Sequence, residues 1–60
     1  MTEKISPHQH IVELKELMNL LLERAALEAY RGNLKEAERY LLGAERAIWE
    51  IIEIVRESMD

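Results

Sequence analysis

The run Gly32-Asn33-Leu34-Lys35-Glu36 decides the fold, because it is the one strong interruption in an otherwise helix-forming chain of 60 residues. Glycine takes the left-handed conformation that ends a helix, and Asn33 with Glu36 three residues on reads as an N-cap and its capping-box partner. One helix therefore stops and another starts within about three residues, and the chain must double back as an antiparallel hairpin.

Upstream, Ser6-Pro7-His8-Gln9 supplies an N-cap, a proline at the first helical position and a capping-box glutamine, so helix 1 is expected over about 7–31. Ile11, Leu14, Met18, Leu21 and Ala25 recur at spacings of three and four, and Glu13, Glu16, Asn19 and Glu23 fall opposite them. Arg31 closes the helix at the negative end of its dipole. The turn is 32–33 and helix 2 runs over about 34–58, with Leu34, Ala37, Leu41, Ala44, Ile48, Ile51 and Val55 as a heptad seam expected to face helix 1. The heptad from Ala37 to Gly43 is echoed by the one from Ala44 to Glu50, a period of seven that belongs to helix packing and not to a solenoid. Residues 1–5 are a polar lead-in, and residues 1–60 form one domain.

A chain this short buries only ~60% of the surface its unfolded form exposes, so its own core is marginal. With no cysteine, neither a disulfide nor a thiolate zinc site can supplement that core, and self-association is the remaining route. Absence of cysteine suits a reducing cytoplasm, the compartment expected of a natural protein with this composition. No apolar run approaches the ~20 residues of a membrane span, and no signal-peptide pattern opens the chain. The net charge of −4 opposes non-specific binding to nucleic acid or anionic membranes.

The apolar stripe is wider than one seam can use. Leu17, Leu22, Tyr40, Ala47, Ile51, Ile52 and Ile54 flank it, and burying an Ile or Leu is worth ~1.5–3 kcal/mol. The expectation is an all-α hairpin that assembles with itself through these flanks: a homodimer forming a four-helix bundle, or a higher cyclic oligomer. Residues 24–46 carry five basic and four acidic groups, whereas the remainder carries three basic and eight acidic. The turn end is thus slightly basic and the open end acidic, which favours two hairpins with turns at opposite ends. Small residues near the turn and large ones near the open end favour the same arrangement. Leu20 and Leu27, and Leu42 and Trp49, each seven apart, lie off the seam and form a possible second interface with Trp49 as its anchor.

Several groups are candidates for chemistry. His8 and His10 lie ~200° apart on a helix, so they cannot share a metal within one chain; a site across an interface with Glu13 is the alternative to solvated first-turn residues. The pairs Glu13/Glu16 and Glu50/Glu53 have a spacing that resembles the magnesium-binding helices of the all-α nucleotide pyrophosphohydrolases, but no base, nucleophile or phosphate-cradling loop accompanies them. Arg24 and Arg31, and Arg39 and Arg46, recur at seven near the turn, and the inferred architecture resembles that of RNA-binding hairpin dimers of the Rop type. Intrahelical pairing with Glu28, Glu38 and Glu45 is the plainer reading of those rows. No enzymatic activity and no cofactor are expected.

From Gly32 to Ala44 the chain is similar to the turn and second helix of a tetratricopeptide repeat, although both helices are nearly twice that family's length and no second repeat follows. The broader resemblance is to de novo designed helical-hairpin homo-oligomers. Both helices are capped, the turn is minimal and strong helix formers fill exposed positions. Asn19, Gly43 and the off-seam leucines depart from that pattern. The function expected from the sequence is structural self-assembly, with a small adaptor that binds a partner helix or RNA as the alternative.

Overall fold

A computed structural model describes residues 6–59; the lead-in at 1–5 and Asp60 lie outside them. Two helices, α1 (Pro7–Tyr30) and α2 (Leu34–Met59), pack against each other as an antiparallel hairpin. Helix α1 begins as its sequence requires: Ser6 is extended, its Oγ accepts the Gln9 N–H at 3.1 Å, and Pro7 occupies the first turn where its missing donor costs nothing.

The turn is built around Glu28. Gly32 has φ +86°, the Gly32 N–H donates to the Ala29 carbonyl at 3.0 Å and the Asn33 N–H to the Glu28 carbonyl at 2.8 Å, which together make a Schellman motif. Arg31 is the C-cap and not a residue of the helix itself. The Asn33 carbonyl then accepts the Ala37 N–H at 3.0 Å, so Asn33 opens α2 through its backbone. Its side chain does not complete the expected capping box. Instead, Asn33 Nδ2 donates to Glu28 Oε1 at 2.8 Å, while Glu36 pairs with Arg39 at 3.7 Å. The charge-assisted bond orients the Asn33 amide back toward Glu28, and its Oδ1 accepts no N–H from the first turn of α2. Glu28, with its side chain only 13% exposed, also pairs with Arg31 at 3.6 Å. Glu36 still sits favourably in the first turn of α2, near the positive end of its dipole.

Packing between the helices departs from the heptad seam in one respect. Ala37 and Ala44 are buried as expected, but Ala47 is buried too, and Tyr40, Gly43, Ile51 and Ile54 are half-buried, while Leu34, Leu41, Ile48 and Val55 are exposed. Helix α2 is therefore rotated about its axis so that the small residues Gly43, Ala44 and Ala47 meet α1. A Cβ placed on Gly43 would stand 3.2 Å from a Leu21 methyl, so Leu21 rests almost on the α2 backbone. Close approach over small residues gains more dispersion contact than a ridge of Leu41, Ile48 and Val55 would allow, because those side chains would hold the helices apart. On α1 the residues facing α2 are Leu14 and Ala25, with Ile11, Met18 and Leu21 half-buried.

The two glycines predict opposite outcomes for one substitution. Gly32→Ala meets no neighbour but forces a side chain into the left-handed region, and urea unfolding should show a loss of about 1–2 kcal/mol. Gly43→Ala should instead stabilise by roughly 0.5 kcal/mol: the gain in helix propensity of ~1 kcal/mol exceeds the cost of shifting the half-exposed Leu21 by a few tenths of an ångström.

Candidate interaction surface

With five buried residues among those described, four of them alanine, and no large side chain fully enclosed among them, the hairpin has little interior of its own. Its extents of 46 × 25 × 12 Å describe a plate one layer of helices thick. Such a plate has two broad faces and two outer edges. Residues can be assigned to them from the helical advance of about 100° per residue, the right-handed sense of both helices and the observed buried side of each.

One broad face is apolar. Helix α2 contributes Leu34, Leu41, Ile48 and Val55 at intervals of seven, exposed by 70, 49, 42 and 42%, together with half-buried Ile52. Helix α1 adds Leu22, Ala26 and Ala29 beside them, with Ile11 nearer the open end. The opposite broad face is charged, with Arg24, Arg31, Arg39 and Arg46 over the turn half and Glu13, Glu50 and Glu57 over the open half. Leu17 breaks that charged face at its border with the seam.

The residues expected at a self-association interface are thus redistributed. Leu22 and Ile52 lie on the apolar face, as a partner copy would need. Ala47 is sealed inside the hairpin, and Tyr40, Ile51 and Ile54 belong to the intrachain seam, because the rotation of α2 turned them toward α1. Leu34, Leu41, Ile48 and Val55, which sequence periodicity assigned to the seam, take the outward positions in their place. The expected second interface does not form one patch. Leu20 and Leu27 lie toward one outer edge of the plate, while Leu42 and Trp49 lie on the other. The signal that sequence reasoning passed over is the pair Gly43 and Ala47, four apart on one side of α2, which marks where a helix can approach most closely.

The candidate chemical groups remain scattered. His8 and His10 are exposed on different sides of α1, Glu13 and Glu50 share the charged face, and Glu16 and Glu53 point to opposite outer edges. Among the described residues no three His, Cys, Asp or Glu side chains converge on a possible metal position and no cleft is present. Among the described residues no helix is long and apolar enough to cross a membrane. The two arginine rows, by contrast, are brought onto a single face, although Glu28 and Glu36 each pair with one of their members.

Trp49 offers a check on this assignment, since it stands on an outer edge at 55% exposure. Its fluorescence should stay open to acrylamide quenching from dilute to concentrated solution; a quenching constant that falls on concentration would place the tryptophan at the interface instead. No protein-family model, curated protein or solved structure matches this chain, so its surface is read from its own geometry.

Proposed function

We propose that the chain is a non-enzymatic self-assembly module, a helical hairpin whose role is to form a homo-oligomeric bundle by covering its apolar broad face. One observation carries the reading. The side chains that could have made a core, Leu34, Leu41, Ile48 and Val55, form a continuous exposed stripe while alanines fill the interior. Domains are ordinarily two packed layers around one apolar core, and this plate supplies a single layer. A second layer of the same kind would complete it as a four-helix bundle, the architecture of the designed hairpin oligomers that the sequence resembles.

Light scattering after size exclusion tests the proposal directly. The chain should elute as a stable multiple of 7.1 kDa over a wide concentration range, with helicity by circular dichroism unchanged. A well-folded monomer at every concentration would refute it. The pair Leu41→Gln and Ile48→Gln should reduce the mass to that of one chain: each removed side chain is worth ~1.5–3 kcal/mol of burial, counted twice in a symmetric dimer, while the hairpin's own seam is untouched.

A second reading has one observation in its favour, the gathering of Arg24, Arg31, Arg39 and Arg46 on one face. On it, the hairpin binds RNA there, electrostatically and in the manner of the Rop-type dimers. Binding to a stem-loop RNA should then weaken steeply with salt and be lost in Arg24→Gln with Arg46→Gln, whose groups are outside the ion pairs described above. Absence of RNA binding at low salt would dispose of it.

A further inference from the structure

The two halves of the apolar face complement each other level by level. Leu21 and Gly43, each eleven residues from Gly32, lie against each other, so residues equally far from Gly32 on the two helices stand at the same height in the hairpin. Near the turn α1 presents Ala26 and Ala29, whose levels fall between those of the exposed Leu34 and Leu41 on α2. Near the open end Ile11 stands almost level with Ile52. Between these regions the outer margin of the face is polar on both helices. Asn19 and Glu45 are each thirteen residues from Gly32, and Lys15 lies one turn from Asn19 toward the open end. All three are exposed, and Lys15 and Glu45 have no opposite charge three or four residues away on their own helix and no ion pair among the described residues. Glu38 and Arg56, farther round α2, do have such a charge, Lys35 and Glu53. The arginines of the turn half and Glu13, Glu50 and Glu57 of the open half, which set the two ends apart in charge, lie on the other broad face and do not act across this one.

We propose that two copies of the chain stack these faces with their turns at the same end, α1 of each lying over α2 of the other about a two-fold axis parallel to the helices. The inference rests on the self-assembly reading and adds to it the occupant of the face, its direction and its register. A two-fold axis between two plates whose helices stay aligned runs either along the helices or across them. Along them, residues of equal height meet and no slide is allowed, so symmetry fixes the register. Ala26 and Ala29 of each copy then lie against Leu34 and Leu41 of the other, small against large as close packing requires, and Ile11 lies against Ile52. Glu45 stands opposite Asn19 with Lys15 one turn away, and its carboxylate takes both as donors. Across them, α2 lies on α2 and α1 on α1. The large side chains of α2 then meet each other, Lys15 falls over Leu22, and Glu45, near the mid-height of α2 and hence near the axis, meets Glu45 of the other copy. The area is adequate for either: two helices ~37 Å long and ~10 Å wide offer a face of roughly 700 Å², close to the ~800 Å² per partner of a stable interface. Complementarity of size and charge selects the first. The opposite orientation favoured by the charge of the two ends loses its basis, because those charges sit on the far face.

The absence of native cysteine makes introduced ones unique reporters. Asn19→Cys and Glu45→Cys variants, unfolded and refolded as a mixture and then treated with a short bismaleimide, should cross-link to each other, while neither alone should cross-link to itself. With the axis across the helices both positions lie near it, so each variant would couple to its own copy. Charge removal supplies a second readout, one of sign. Glu45→Gln should raise the dissociation constant by roughly threefold, since it weakens a contact that occurs twice per dimer. A tighter dimer in that variant would reveal repulsion between the two Glu45 carboxylates. Self-coupling of either cysteine variant, a mixture that does not cross-link, or a dimer tightened or unchanged by Glu45→Gln would each overturn the proposed orientation. Light scattering keeps the outcomes apart: a dimer mass with the wrong cross-links refutes the orientation alone, whereas a monomer mass for the unmodified chain refutes self-assembly itself.

Discussion

Two helices in one layer share a single seam, and everything else about this molecule follows from how that seam is used. Each helix can turn only one side toward the other, so the apolar residues of a wide stripe must compete for it. Here the small residues win on α2. Gly43, Ala44 and Ala47 let Leu21 come down almost onto the backbone. The gain is close contact along a narrow strip; the cost is that the largest side chains of α2 are turned outward. A hairpin packed on its alanines is a thin, well-defined plate with little hydrophobic stabilisation of its own, since an alanine buries far less apolar area than a leucine or isoleucine.

The turn fixes the geometry that this packing requires. Glu28 serves as a clasp, its backbone carbonyl receiving the Asn33 N–H and its carboxylate holding both the Asn33 amide and Arg31. A connection tied at three points leaves little freedom in how far α2 is rotated and advanced relative to α1. That rotation is what places Gly43 under Leu21 and the stripe from Leu34 to Val55 on a broad face. Local hydrogen bonding at residues 28–33 and the chemistry of a surface some 20 residues away are thus coupled through the rigidity of a helix.

The two broad faces divide the chemical possibilities. The apolar one carries the volume that the hairpin does not bury. The other carries arginines over the turn and carboxylates over the open end, partly paired within their own helices. Hydrophobic area sets how strongly surfaces of this kind associate, while charge order sets which way round they meet.

The sequence by itself determined the class, the number of helices and their ends to within a residue or so. Pro7 after Ser6, Gly32 before Asn33 and the spacing of apolar residues are local signals, and capping and periodicity act within a few residues of where they are written. It also made plain that the apolar stripe exceeds one seam. What only the tertiary structure decided was which side of that stripe faces inward. The heptad pattern admits Leu41, Ile48 and Val55 or Tyr40, Ala47 and Ile54 beside the shared Ala37, Ala44 and Ile51, because the two choices differ by a modest rotation of the helix. That choice is made by how closely two backbones can approach, a property of residues far apart in the chain such as Leu21 and Gly43, and by a turn whose asparagine prefers a carboxylate five residues behind it to the cap ahead.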